Sequence, residues 1–137
     1  MELAKEYSKW SKDPSSKIGS VAVNPIHRNI LSHGYNGFPR GIFDLEERLT
    51  DRPTKYKYVV HAEMNCIYNA TLTGTSLDGS HLYVWGLPVC SECAKGIIQV
   101  GIKKVIWSTD KDPSEKWMQS YSDTLDMMTE AGVEMYR

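Results

Sequence analysis

The amino-acid sequence predicts an α/β fold: a three-layer α/β/α sandwich around a central mixed sheet of about five strands. Two β-rich runs near the N-terminus read as a hairpin, and the later strand-like runs alternate with helix-like ones. The 137 residues carry 41% hydrophobic and 24% charged side chains, the balance of one ordinary globular domain covering residues 1–137 with a sizeable core. Strands alternating with helices imply parallel pairs joined by right-handed crossovers, with helices on both faces of the sheet.

Leu3, Tyr7 and Trp10 recur at helical spacing, and Asp13-Pro14 ends that stretch, so a short leading helix is expected. Residues 18–24 and 29–35 are the two hairpin strands, joined by the turn Pro25-Ile26-His27-Arg28. Residues 36–57 hold glycine, proline and mixed charge without sustained periodicity; a loop of this length inside a compact domain is usually functional, so ligand contacts are expected there. Residues 59–72 form an apolar stripe through Ala62, Cys66, Ile67 and Ala70, which predicts a buried helix broken by Thr73-Gly74-Thr75. A strand over 81–85, a helix over 91–100 stopped by Gly101 and a strand over 104–107 follow. After a charged loop over 110–116, a helix over 117–130 ends at Gly132, and 133–136 reads as an edge strand.

Bulk properties exclude several functions. No apolar run is long enough to cross a bilayer, and Met1-Glu2-Leu3-Ala4-Lys5 lacks the features of a secretory signal, so a cytoplasmic location with no membrane partner is expected. Sixteen basic against seventeen acidic side chains leave a net charge of −1, without the positive field that gathers a nucleic acid. The three cysteines are an odd number, and Cys90-Ser91-Glu92-Cys93 places two of them too close together for a structural staple. Metal ligation or redox chemistry is the better reading of that pair.

The chemistry is carried by two segments, each opening a predicted helix. His61-Ala62-Glu63 begins one, and Cys90-Ser91-Glu92-Cys93 begins the next. A catalytic zinc takes three protein ligands and keeps its fourth tetrahedral position open, and His61, Cys90 and Cys93 supply three. Thiolates are favoured by the cation and by the positive end of a helix dipole. Glu63 follows His61 by two residues, roughly 200° around a regular helix, yet at a helix start it can still reach a water on the metal and act as proton carrier. Cys66 belongs to an apolar stripe and reads as core packing. His27, His33 and His81 are scattered singly and read as structural or surface histidines, and Trp85, Trp107, Trp117 and Tyr121 read mainly as packing residues that could reach a base pocket.

His-x-Glu followed by Pro-Cys-x-x-Cys marks the zinc nucleobase deaminases, and this chain carries the pattern except for the proline. With Ser11-Lys12-Asp13-Pro14-Ser15-Ser16-Lys17-Ile18-Gly19 and Gly34-Tyr35-Asn36-Gly37-Phe38-Pro39-Arg40-Gly41, the chain resembles the deoxycytidylate deaminases of the cytidine deaminase-like superfamily. The Gly34–Gly41 stretch resembles the dCMP branch in particular. The resemblance departs at Val89, because the family places proline directly before the first cysteine and here the proline is Pro88. It implies deamination of dCMP to dUMP, feeding thymidylate synthesis, with Asn36 and Ala62 binding substrate. It also implies a homo-oligomer, with a hexamer expected, regulated by the triphosphates dCTP and dTTP with Mg2+. Lys17, Asn24, Gly37, Phe38 and Arg40 are the expected effector contacts, glycine letting backbone N–H groups approach phosphates and the basic residues supplying charge.

Rival readings stay open. Another cytosine nucleotide or nucleoside, such as dCTP or cytidine, could be the substrate, and a nucleic-acid-editing deaminase would share the zinc chemistry. A structural zinc module or a redox-active Cys90/Cys93 pair would use the same ligands without deamination. For the substrate 5′-phosphate, Lys17, Arg40 and Lys111 are unranked alternatives.

Overall fold

The computed structural model describes residues 1–137. In chain order the elements are α1 (Glu2–Ser8), β1 (Gly19–Val23), β2 (Ile30–Tyr35), α2 (Glu46–Thr50), α3 (Arg52–Tyr58) and α4 (Ala62–Thr73). Then come β3 (His81–Trp85), α5 (Ser91–Gln99), β4 (Lys104–Ser108), α6 (Glu115–Ala131) and β5 (Glu134–Tyr136). The five strands form one sheet in the order β2-β1-β3-β4-β5. β1 runs antiparallel to β2 and β3, whereas β3, β4 and β5 are mutually parallel, which is the expected mixed sheet. No helix is long and apolar enough to cross a membrane.

Register divides the sheet into two faces. Ser20 and Ala22 of β1 lie opposite Val84 and Leu82 of β3, which in turn lie beside Trp107 and Val105 of β4. These residues turn toward α4, α5 and α6 and, Ser20 aside, pack with Ala62, Cys66, Ala94, Ile97 and Met128 in one cluster. Burying a side chain the size of Leu82 or Ile97 stabilises the fold by about 1.5–3 kcal/mol. The opposite face carries α1, which packs over β1, β2 and β3. The second outer layer is therefore a single helix, thinner than a fully wound sandwich. A Cβ on Gly19 would meet the Ala4 carbonyl oxygen and stand 2.6 Å from the Ser8 amide nitrogen, so glycine there lets α1 lie directly on β1.

The segment 36–57 is not one loop. It contains α2 and α3, the latter capped by Asp51, whose carboxylate accepts from the Thr54 N–H, with Pro53 in the first turn. Residues 59 and 60 are not helical, since Val60 is extended and pairs with Gly37 in an isolated antiparallel bridge before α4 starts. α6 begins two residues earlier than its periodicity indicates, at Glu115 after Ser114.

Candidate active site

The two metal-ligand segments enter the site as helix caps. His61 is the N-cap of α4 with an extended backbone (φ −67°, ψ 154°), and Cys90 is the N-cap of α5 (φ −77°, ψ 161°). Because His61 lies outside the helix proper, the helical angle between positions 61 and 63 does not apply. His61, Glu63 and Cys90 all line one cleft.

The donor atoms of His61, Cys90 and Cys93 lie within 4.8 Å of one another. Each sulfur is 3.4 Å from the same ring nitrogen, His61 Nδ1. One ring N–H cannot point at two sulfurs, whereas two thiolates and an imidazole around a tetrahedral zinc place each S···N pair about 3.5 Å apart. The set therefore fits a zinc ion, with the fourth position left for water.

Electrostatics point the same way. The Cys90 thiol is lowered to about 4, first by the Cys93 thiol and then by His61 and the Cys93 N–H, against the effect of burial. The Cys93 thiol is raised, first by Cys90 and then by burial. Without a cation the two sulfurs hold one negative charge between them; a divalent ion supplies the charge that lets both ionise. His61 is raised chiefly by its contact with Cys90, partly offset by burial. Burial raises Glu63 above the usual carboxyl range, opposed by His61, and its side chain is only 4% exposed at the cleft. Such a carboxyl takes and returns a proton readily.

Val89 keeps the cysteine loop in place. Its side chain is fully buried, and its carbonyl accepts from Thr124 Oγ1 of α6 at 2.9 Å. Pro88 lines the cleft one residue upstream of the family position, and Cys90 still reaches His61.

Asn36 and Ala62 also line the cleft. Asn36 is tied down through both side-chain atoms: Oδ1 accepts from the Ile18 N–H at 2.9 Å, and Nδ2 donates to the Ser16 carbonyl at 2.8 Å. Ala62 is fully buried, its carbonyl accepting from Ser20 Oγ at 2.7 Å. No side chain caps α4, so the N–H groups of its first turn lack helical partners.

The five expected effector residues are not lining residues of this cleft. Gly37 and Phe38 border a second one with Trp10 and Lys12, and Asn24 borders a third beside α1. Lys17 donates to the Ser11 carbonyl and Arg40 to Asn69. Lys17 precedes β1 and Asn24 follows it, so these two stand at opposite ends of a strand. Lys111 is exposed and does not line the cleft.

Of the aromatic residues, Trp117 lines the cleft, its ring centroid 6.4 Å from that of His61. Trp107 is core and donates to Tyr121 Oη. His33 stacks on Tyr7, and Cys66 is buried in the core. Arg52, Lys55 and Tyr56 also line the cleft and escaped sequence reading, although they fall in the 36–57 stretch expected to contact ligand. Asp51 and Pro53, a cap and a first-turn proline, were the local signals of the helix that presents them.

Residues 1–109 match the family model described as the cytidine and deoxycytidylate deaminase zinc-binding region. A protein of Aliivibrio fischeri described as an uncharacterized deaminase is 36% identical over 98% of this chain and 87% of its own length. The deoxycytidylate deaminase of Homo sapiens is 47% identical over 74% of this chain, which spans only 57% of that protein. Among solved structures, the dCMP deaminase of cyanophage S-TIM5 in complex with dCMP and dUMP superposes with a TM-score of 0.77. It is 29% identical, with 99% of this chain and 92% of that one covered.

Proposed function

The chain belongs to the cytidine and deoxycytidylate deaminase family, and we propose that it converts dCMP and water to dUMP and ammonia, supplying dUMP for thymidylate synthesis. The observation that carries this reading is the three-donor triangle of His61, Cys90 and Cys93 opening onto the same cleft as the buried Glu63.

His61, Cys90 and Cys93 would hold the zinc, which when bound would supply an activated water for attack on the amino-bearing carbon of cytosine. Glu63 accepts a proton from that water and delivers it to the adjacent ring nitrogen. It then carries the second proton, taken from the hydroxyl now on the ring carbon, to the exocyclic amino group, which departs as ammonia while the ring carbon keeps the oxygen as a carbonyl. The Ala62 N–H, unpaired at the helix start, donates to the carbonyl oxygen of the base. Asn36, fixed by Ile18 and Ser16, turns its remaining amide proton to a deoxyribose hydroxyl.

Regulation belongs to the same reading: dCTP and dTTP, with Mg2+ on the triphosphate, act at Lys17, Asn24, Gly37, Phe38 and Arg40. The support is that these residues stand outside the catalytic cleft. Since Lys17 and Asn24 flank opposite ends of β1, an effector touching both must lie between two copies of the chain, which ties regulation to a homo-oligomer. A cytoplasmic location is part of the same proposal, since cysteines kept reduced suit such a compartment. A nucleic-acid substrate is disfavoured by the net charge of −1.

The test is Glu63→Gln in zinc-loaded protein offered dCMP, cytidine, dCTP and a cytosine-containing single-stranded oligonucleotide. The parent turns over dCMP best, and the variant keeps one zinc while kcat falls about 10²–10⁴-fold. Full turnover by the variant, or turnover of the oligonucleotide alone by the parent, overturns the assignment.

A further inference from the structure

One wall of the cleft is built around a buried cation. Lys55 of α3 is 5% exposed, and its Nζ lies 3.3 Å from the Asp13 carboxylate, 42 residues away in sequence. Asp13 is satisfied on its other side, with Oδ1 accepting from the Ser15 and Ser16 N–H groups at 2.8 and 3.1 Å. The ammonium has three protons to donate, and Asp13 is its one protein partner. A buried ammonium with spare donors on a cleft wall calls for an anionic or strongly accepting ligand.

The neighbours reinforce that demand. Arg52, one turn earlier on α3, lines the same wall and donates to Tyr56 Oη at 3.4 Å, leaving most of its guanidinium free. Lys116 stands over the Tyr56 ring, 5.7 Å from its centroid. The Asp13–Lys55 pair is neutral, so Arg52 is the unpaired charge on this wall of the cleft.

Asn36 fixes the order along the cleft. Its neighbour Gly37 pairs with Val60, next to His61, while its own side chain bonds Ser16 of the Asp13 turn and Ile18 just after it. Asn36 therefore lies between the metal ligands and the Asp13–Lys55 pair. A nucleotide with its base at Glu63 and its sugar at Asn36 directs its 5′-substituent at Lys55 and Arg52.

We infer that Lys55 and Arg52 form the subsite for the 5′-phosphomonoester, with Asp13 as the positioning residue that aims Lys55, and that this subsite sets preference for a nucleotide over its nucleoside. The inference rests on the dCMP reading above. Arg52 closes on the phosphate from the rim and Lys55 donates from the floor, as charged hydrogen bonds to phosphate oxygens.

Because Lys55→Met strands a buried Asp13, the test uses Arg52→Ala and the charge-neutral double variant Asp13→Asn/Lys55→Met, with Lys55→Arg as the conservative control. Zinc content and thermal melting confirm that each is folded. The measurements are the ratio of kcat/KM for dCMP to that for deoxycytidine, and the affinity of dUMP relative to deoxyuridine by calorimetry. Each ratio falls about 10- to 100-fold in Arg52→Ala and in the double variant, the size of losing one charged hydrogen bond, and Lys55→Arg restores most of it. Folded, zinc-loaded variants with unchanged ratios overturn the subsite, because a merely structural role lowers both substrates together. A parent protein that turns over none of the cytosine compounds overturns the dCMP reading. The subsite is then judged by calorimetry alone, and dUMP bound no more tightly than deoxyuridine overturns it as well.

Discussion

Gly34 of β2 lies directly against Ala62 of α4: a Cβ on Gly34 would overlap the Ala62 carbonyl oxygen and the Cys66 amide nitrogen and stand 2.9 Å from the Asn65 carbonyl carbon. These are backbone atoms of a rigid helix and cannot turn aside. The missing side chain therefore sets how closely α4 approaches the sheet, and with it the position of His61 at the helix cap. Ser20 and Ser32 pin the same helix by donating to the Ala62 and Cys66 carbonyls, each at 2.7 Å.

Gly34→Ala pushes α4 off the sheet at its metal-binding end. The expected cost is about 1–3 kcal/mol of stability, typical of forcing atoms into a packed core. Zinc affinity should fall with it, since a ligand cap displaced by even a fraction of an ångström no longer matches two cysteines on another helix. Denaturant midpoints and zinc titration check this; a variant of parental stability and zinc affinity would contradict the close-packing account.

Removing the metal should leave the chain folded. The apolar cluster beneath the sheet is built from α4, α5, α6 and three strands, and most of its members lie away from the donors. Chelation, or Cys90→Ser, is expected to lower the melting temperature by the linkage contribution of a bound ion and to abolish turnover while far-UV circular dichroism stays near parental. Collapse of the dichroism signal on chelation would make the zinc a structural one.

What the sequence disclosed follows from how local each cause is. β3 is legible to the residue because Leu82 and Val84 alternate with half-buried neighbours, a period-two pattern that no helix shares. The ligands are legible because zinc chemistry restricts both residue types and spacing. By contrast, α3 has no apolar stripe: its one buried side chain is Lys55, a residue whose usual place is the surface. The partner that makes burial of Lys55 tolerable, Asp13, is remote in sequence, and no local pattern announces such a pair. The same holds for α1 as sole cover of the second face, which depends on the close approach at Gly19.

Asn36 is a structural tie as well as the proposed sugar contact. Asn36→Ala leaves the Ile18 N–H and the Ser16 carbonyl without their partners, at about 1–3 kcal/mol for a buried group left unsatisfied. Because Ser16 belongs to the turn that Asp13 holds, the variant should also raise KM for dCMP, and both effects should appear together in melting curves and kinetics. A variant that binds substrate weakly but melts like the parent would separate the two roles and remove the structural one.

Cys66 offers a pH test outside the metal-ligand set, its thiol being raised first by burial and only in small part by Glu63. Burial raises its thiol from 9.0 to about 11, against smaller lowering contributions from the Ser32 and Ser20 hydroxyls. The folded state thus favours the protonated thiol. Its contribution to stability is complete below pH 9 and is lost as pH rises toward 11, in total on the order of 3 kcal/mol. Cys66→Ala lacks this ionisation while keeping every other titrating group, so the stability gap between parent and variant should shrink across that window. A gap that stays constant from pH 8 to 11 would show that the thiol is not desolvated. At pH 8 only about one Cys66 in a thousand is ionised, so alkylating reagents should leave it unmodified until the chain unfolds.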